Sequence, residues 1–382
     1  MSSENPVIDL INAIDHKLQK VHTQSLDLSF NELLDMRKEG ELKIDPEYQR
    51  IFRWSEGARS RFIESLLLEM PVPPIYVIEE DDGKYLLIDG LQRISSYLHL
   101  RGQLDGPHLD PIVVMGGKLI LIDCDIVQEL NGKTYDELGS ALQIRLKRAF
   151  IRVEVVRKGS DPRFKYHMFK RLNTGGNNLS PQQIRNSSIR LLDPTFNDFI
   201  IRMSKEEHFK ICTQYLSYEQ TLEAYDQELV LRFFALKNDQ ENFVHGVADF
   251  LTEYMESVSD LELGRNRSFD YAAEQVNFEK TFEVLANSIS EHSFGYANKA
   301  GKIVRGFGIY QYEAFTIGLQ SIVDTLDAGS EVQMTMLNGT IRNIKLDPVF
   351  ISLTTGGGKN SKGQMKARIG FVKDKLMEAF QL

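Results

Sequence analysis

The chain of 382 residues is 42% apolar and 26% charged, a balance that excludes a disordered protein and leaves room for two domains at about 100 to 200 residues each. No run reaches the roughly 18 consecutive apolar residues of a membrane span, and MSSENPVIDLINAIDHKLQK lacks the basic flank and apolar core of a secretory leader, so a cytoplasmic protein without membrane contact is expected. The formal charge of −9 weighs against a nucleic-acid partner only on average: residues 50–190 carry 21 Lys and Arg against 17 Asp and Glu, whereas residues 200–300 carry 9 against 18, which leaves the first region open to a polyanion.

Residues 1–27 are expected to form a lead-in helix. In LSFNELLDMRKEGEL, Ser29 stands three residues before Glu32, the spacing of a capping box, and Gly40 closes the short helix that follows. ELKIDPEYQRIFRW reads as extended, because Pro46 disfavours helix in the residue before it. Here Tyr48 or Trp54 could stack on a base and Arg50 or Arg53 pair with phosphate, while for Trp54 a core anchor, with the arginines solvated, is the preferred reading. GARSRFIESLLLEMP predicts a helix with Phe62, Leu66 and Met70 on one stripe, stopped by Pro71.

PPIYVIEEDDGKYLLIDG predicts two strands joined by an Asp-Gly turn. The second strand delivers Asp89, and from Gly90 the residues Ile94, Tyr97, Leu98 and Arg101 fall at helical spacing. AFIRVEVVRKG predicts another strand, and DPRFKYHMFKRLNTGGNNLSPQQIRNSSIRLL a helix, a glycine-rich loop and a second helix with Ser180 as N-cap and Pro181 at its first position. Beyond residue 193 strand signals fade and amphipathic helices dominate, ending in a glycine-rich loop and a basic helix, TTGGGKNSKGQMKARIGFVKDKLMEAF. The fold expected is α+β over residues 28–192, followed by a helical domain over 193–382.

The chemistry concentrates where the second strand of the hairpin becomes a helix. Backbone N–H groups at a helix start lack intrahelical partners and attract anions. Gly90 would let a ligand approach the backbone, Arg93 could grip phosphate with its planar fork, and Asp89 could hold a divalent cation or orient a water. The same five residues fit a capping Asp with an internal Asp–Arg ion pair. Asn173, Thr174, Gly175 and Gly176 form a polar loop beside a second helix start, which also fits a simple glycine C-cap. TTGGGKNSKG fails the P-loop pattern, since Lys359 is followed by Asn360. The eight histidines form no metalloprotease motif, and Cys124 and Cys212 are expected as buried small hydrophobes rather than metal ligands or a disulfide.

In order and spacing YQRIFRW, RFIESLLLEMPVPPIYV, YLLIDGLQRISSYL, FKRLNTGGNNLSPQQIRN and DQELVLRFF resemble the domain of unknown function 262 family, the N-terminal part of GmrSD-type modification-dependent restriction enzymes. The resemblance implies a core similar to the ParB and sulfiredoxin fold, with an Asp-Gly-Gln-Gln-Arg element that serves nucleotide binding and hydrolysis in phage defence. That element falls on Asp89, Gly90, Leu91, Gln92 and Arg93, and Leu91 departs from its usual Gln. Leu91 is harmless if it faces the core and impairs activity if the position touches substrate or metal. Gln183 stands where an acidic residue is common. The implied function is a Mg2+-dependent GTPase or ATPase with Asp89, Gln92 and Arg93 as catalytic residues and Asp89 at the metal. Tyr48, Gln49, Arg50, Trp54, Gly90 and the Asn173–Gly176 loop would complete the nucleotide site. Basic surfaces at Arg145, Lys147 and Arg148 and at Lys359, Lys362, Lys366 and Arg368 are expected to meet DNA. No His-Asn-His cluster follows residue 245, so a stand-alone sensing half is expected, with a separate nuclease polypeptide as partner and homo-oligomers possible. A pocket acting on DNA without nucleotide, and a non-enzymatic scaffold, are the alternatives.

Overall fold

The computed structural model describes residues 10–12, 14–15, 20–44, 52–109, 111–174, 179–244, 246–260, 268–298, 302–356 and 358–382. The chain divides into two compact units, Met1–Leu179 and Ser180–Leu382. Together they give an α+β protein with a helical C-terminal region, and no helix of the described residues is long and apolar enough to cross a membrane.

The first unit is built on a five-stranded sheet in the order β1-β5-β3-β4-β2, with β1 at Thr23–Ser29, β2 at Leu42–Lys43, β3 at Ile75–Glu79, β4 at Tyr85–Asp89 and β5 at Phe150–Val156. β1 corrects the expectation of a helix through residue 27. In TQSLDLS, Leu26 and Leu28 alternate with polar residues, and the segment pairs antiparallel with β5 from Thr23↔Val156 to Ser29↔Phe150. Ser29 then caps helix α1 (Phe30–Glu39), accepting a hydrogen bond from the Glu32 amide, and Gly40 ends the helix in the left-handed region. α2 (Glu56–Leu67) starts at Ser55, whose hydroxyl accepts from the Ala58 amide, and Phe62 and Leu66 of the expected stripe are buried while Met70 lies beyond the helix, exposed.

The β3–β4 hairpin closes through the Asp-Gly turn as expected. A register shift between Tyr76 and Val77 sets Asp89 opposite Tyr76, the kind of local kink that re-aims a side chain at a strand end. Ile75, Val77, Leu87, Val153 and Val155 form the inner face of the sheet, each 2% exposed or less. α3 (Leu91–Leu100) leads away from β4 and packs against α2. The residues between α3 and α4 (Gly139–Arg148) make no long element, and α2 clamps part of them. The Ser60 hydroxyl accepts from the Ile122 amide at 3.0 Å, and Glu64 Oε1 accepts from the amides of Ile126 and Val127 at 3.1 and 2.6 Å. α5 (Pro162–Thr174) completes this unit.

The second unit opens on α6 (Pro181–Ile189), with Ser180 and Gln183 forming a reciprocal capping box and Pro181 in the first turn. It continues through α7 (Thr195–Met203), α8 (Glu207–Thr213), α9 (Tyr218–Leu222), α10 (Tyr225–Asp239), α11 (Val247–Ser259), α12 (Tyr271–Ser288), α13 (Ile309–Gly318), α14 (Glu331–Leu346), α15 (Pro348–Thr354) and α16 (Lys362–Phe380). Fully buried Phe233, Phe234, Phe278 and Phe282 form its aromatic centre. Beside them lies a chain of buried charges: Glu313 accepts from Arg232 at 2.6 Å and from Arg368, and Glu228 bridges Arg232 and Arg185. Cys124 and Cys212 are free and buried, and burial pushes their thiols up to about 11 and about 12, so neither offers a thiolate near neutral pH.

Candidate functional site

The turn from β4 into α3 carries Asp89 to Arg93, and its geometry begins with Gly90. This residue has φ +98° and forms the N-cap of α3 without any side-chain cap. A Cβ there would lie 2.3 Å from Ile75 Cγ2, so close packing of the turn against β3 requires glycine, rather than the ligand approach expected at this position. Leu91 is 3% exposed and faces the core, which makes the departure from Gln harmless to packing. Arg93 Nη2 donates to Asp89 Oδ2 at 2.7 Å and to the Pro74 carbonyl at 3.0 Å, with side chains 14% and 30% exposed for Arg93 and Asp89. Of the two arrangements open to these residues, the internal ion pair is the one present.

Side chains from three other places hold the surroundings of the turn. Gln92 Oε1 accepts from the amides of Arg53 and Trp54, both at 3.1 Å, so Gln92 positions the segment before α2 rather than aiming its carbonyl outward. Arg59 of α2 fixes the same segment from the other side, donating from Nε to the Trp54 carbonyl at 2.7 Å and lying 4.7 Å over the buried Phe52 ring. Its Nη1 stands 3.0 Å from His99 Nδ1. Burial, then the Arg59 charge, lowers the His99 pKa to about 4. Trp54 is half-buried and meets the edge of Phe62 at 5.9 Å, an anchor of the segment. Asn173, at the end of α5, is buried and donates to the carbonyls of Ile88 at 3.2 Å and Phe169 at 2.9 Å, tying α5 to β4 one residue before Asp89. Tyr48, Gln49, Arg50, the Thr174 side chain, Gly175 and Gly176 lie outside the described residues.

Of the ligands a Mg2+ takes, the described part of this turn supplies one carboxylate, and the others would be substrate phosphates and water. Asp89 is a lone carboxylate whose Oδ2 already holds Arg93, and among the described residues no group of three or more His, Cys, Asp or Glu is placed to hold a metal ion.

The basic residues expected at DNA separate into two sets. Arg145, Lys147 and Arg148 are exposed on α4, with Arg145 paired to Glu69 at 2.9 Å. Arg368 corrects the expectation for the C-terminal helix: it is fully buried, paired with Glu313, and donates to the Lys359 carbonyl at 2.7 Å. An arginine at a core position of α16 anchors the glycine-rich loop instead of facing a ligand. Lys366 is held by the Glu241 carboxylate at 2.6 Å and Lys362 by the Glu241 carbonyl. Gln183, besides its capping role, donates to the Leu222 carbonyl at 2.7 Å.

Sequence reasoning missed Arg59 as a support of the turn. The signal was available: Arg59, Ile63 and Leu66 fall at i, i+4 and i+7, so a guanidinium stands within an apolar helical stripe.

Residues 30–190 match the family model of the GmrSD restriction endonuclease N-terminal domain. The match runs from the first residue of α1 to just past α6 and includes the whole β4–α3 turn. No curated protein and no solved structure matches the chain significantly.

Proposed function

We propose that this chain, whose residues 30–190 carry a GmrSD-type N-terminal domain, is the nucleotide-binding component of a restriction-type system that associates with DNA, and that it hydrolyses a nucleoside triphosphate at the Asp89–Arg93 turn. The observation that carries the reading is the start of α3, where a helix without a capping side chain opens beside a guanidinium and a carboxylate that are both partly exposed. An incoming phosphate has two sources of attraction there, the helix terminus and the Arg93 fork.

The ion pair is not an obstacle to this. The pair, 14% and 30% exposed, is held more strongly than a surface i,i+4 pair at about 0.3 to 0.5 kcal/mol, and a multiply charged phosphate competes for the same guanidinium through charge-assisted bonds of its own. Phosphate taking Arg93 would release the Asp89 carboxylate, which then orients water for attack on the terminal phosphorus as the bond to the leaving diphosphate breaks. Such transfer is served mainly by positioning and charge neutralisation. Gln92, Arg59 and Asn173 act as positioning residues. Exposed Arg145, Lys147 and Arg148 supply the charge for DNA, and cleavage falls to a separate nuclease polypeptide. Action in the cytoplasm and assembly into homo-oligomers belong to the same proposal.

Titration with GTP and ATP by calorimetry, followed by turnover assays, tests the site. Asp89→Ala and Arg93→Ala are each expected to abolish hydrolysis with an unchanged circular dichroism spectrum. Wild-type turnover in both variants overturns the assignment.

A further inference from the structure

Away from the turn, the first unit carries a groove of about 830 Å³ between the end of α2, the α4 helix and the start of β5. Its lining combines apolar side chains, with Met70, Ile144 and Phe150 exposed at 45%, 46% and 66%, and charged ones. Glu69, in the left-handed region at φ +57°, turns the chain sharply after α2 into the Pro71–Pro74 stretch that forms one wall. Ile144, Arg145 and Arg148 share one face of α4, and Phe150 and Arg152 share the solvated face of β5, since Ile151 between them is buried.

We propose that this groove binds an unpaired stretch of nucleic acid, with Phe150 stacking on a base and Arg148 and Arg152 flanking it on phosphates. This deepens, and rests on, the DNA-associated reading above. An exposed aromatic ring with an arginine two residues away on each side is the pattern of a stacking platform in a positively charged groove. Charge favours the same occupant: three arginines line the groove against Asp27 and Glu69, which pair with Arg152 and Arg145 across exposed surface, and Arg148 makes no ion pair among the described residues. Such surface pairs are weak and yield to phosphate. The groove is also close to the turn, because Pro74 lines it and gives its carbonyl to Arg93.

Fluorescence anisotropy of the full chain with a labelled oligothymidine, and with a duplex of equal length, tests the proposal. The single strand is expected to bind more tightly than the duplex. Phe150→Ala should weaken it about tenfold or more, Phe150→Trp should retain it, and Arg148→Ala should lower the slope of log affinity against log salt by about 0.7. Equal binding of both forms, absence of oligonucleotide binding, or affinity within about twofold of wild type in Phe150→Ala overturns the proposal; in the second case an acidic protein partner becomes the occupant to seek. Nucleotide-dependent thermal shift of Phe150→Ala, expected unchanged, separates the two readings: loss of oligonucleotide binding with the shift intact concerns the groove alone, and the absence of any shift in wild type concerns the turn alone.

Discussion

Leu91→Gln asks whether this position of the turn faces ligand or core. Leu91 is 3% exposed, so the exchange forfeits most of a leucine's transfer free energy, about 1.5 to 3 kcal/mol. It also buries an amide with no partner, at about 1 to 3 kcal/mol more. The sum, about 2.5 to 6 kcal/mol, is a large share of the stability of a typical domain. Urea unfolding at neutral pH should show the midpoint falling accordingly, with Leu91→Met, which preserves volume, within about 1.5 kcal/mol of wild type. Turnover of GTP or ATP per folded molecule should not rise in Leu91→Gln. A variant as stable as wild type that gains turnover would mean that the side chain at 91 reaches substrate, and the core-facing placement of the motif would be refuted.

Gly90→Ala should destabilise by about 2 to 5 kcal/mol, from left-handed strain of about 1 to 2 kcal/mol and overpacking against Ile75 of about 1 to 3 kcal/mol; an unchanged urea midpoint would show that the turn relaxes freely. His99 has a folded-state pKa near 4 against 6.5 unfolded, so the unfolded chain takes up the proton first as pH falls. Stability from this group is therefore full above about 6.5, is lost as pH falls toward about 4, and totals about 3 kcal/mol. His99→Gln should flatten the pH dependence of urea unfolding in that window, and an identical slope in both proteins would exclude a buried neutral imidazole. Glu313→Gln leaves the buried guanidiniums of Arg232 and Arg368 without their shared carboxylate and should destabilise by about 3 to 5 kcal/mol, whereas a loss under about 1 kcal/mol in chemical unfolding would show that the network is not a structural keystone.

The parts of the fold that the sequence made legible are those with local causes. Asp81-Asp82-Gly83 between two apolar runs specifies a hairpin with its own turn chemistry, and Ser29 and Ser180 each cap a helix through a bond to an amide three residues on. β1 was not legible as a strand, because TQSLDLS has two apolar side chains and gains its structure from β5, more than a hundred residues later. The segment between α3 and α4 was opaque for the same reason: three of its amides are satisfied by Ser60 and Glu64 of α2, a pairing that no periodicity encodes. At the site, residue types were readable and their partners were not. Arg368 has the composition of a DNA contact and the surroundings of a core ion pair, and only Glu313, 55 residues away, decides between them.

The supports around the β4–α3 turn argue that its shape matters beyond chain reversal. A strand-to-helix turn needs a glycine and a core residue, which Gly90 and Leu91 provide. Gln92, Arg59 and Asn173 do something else: each comes from a different helix, and each directs polar atoms to backbone groups of the segment at 53–54 or of β4 just before Asp89. Burying such groups is unfavourable unless their bonds are made, and Arg59 sits beside a histidine whose protonation is opposed by burial and then by the Arg59 charge. Side chains of this kind fix geometry at the expense of packing. Locking a short backbone stretch on each side of one partly exposed carboxylate and guanidinium is what a site requires when its function depends on where a charged ligand is held.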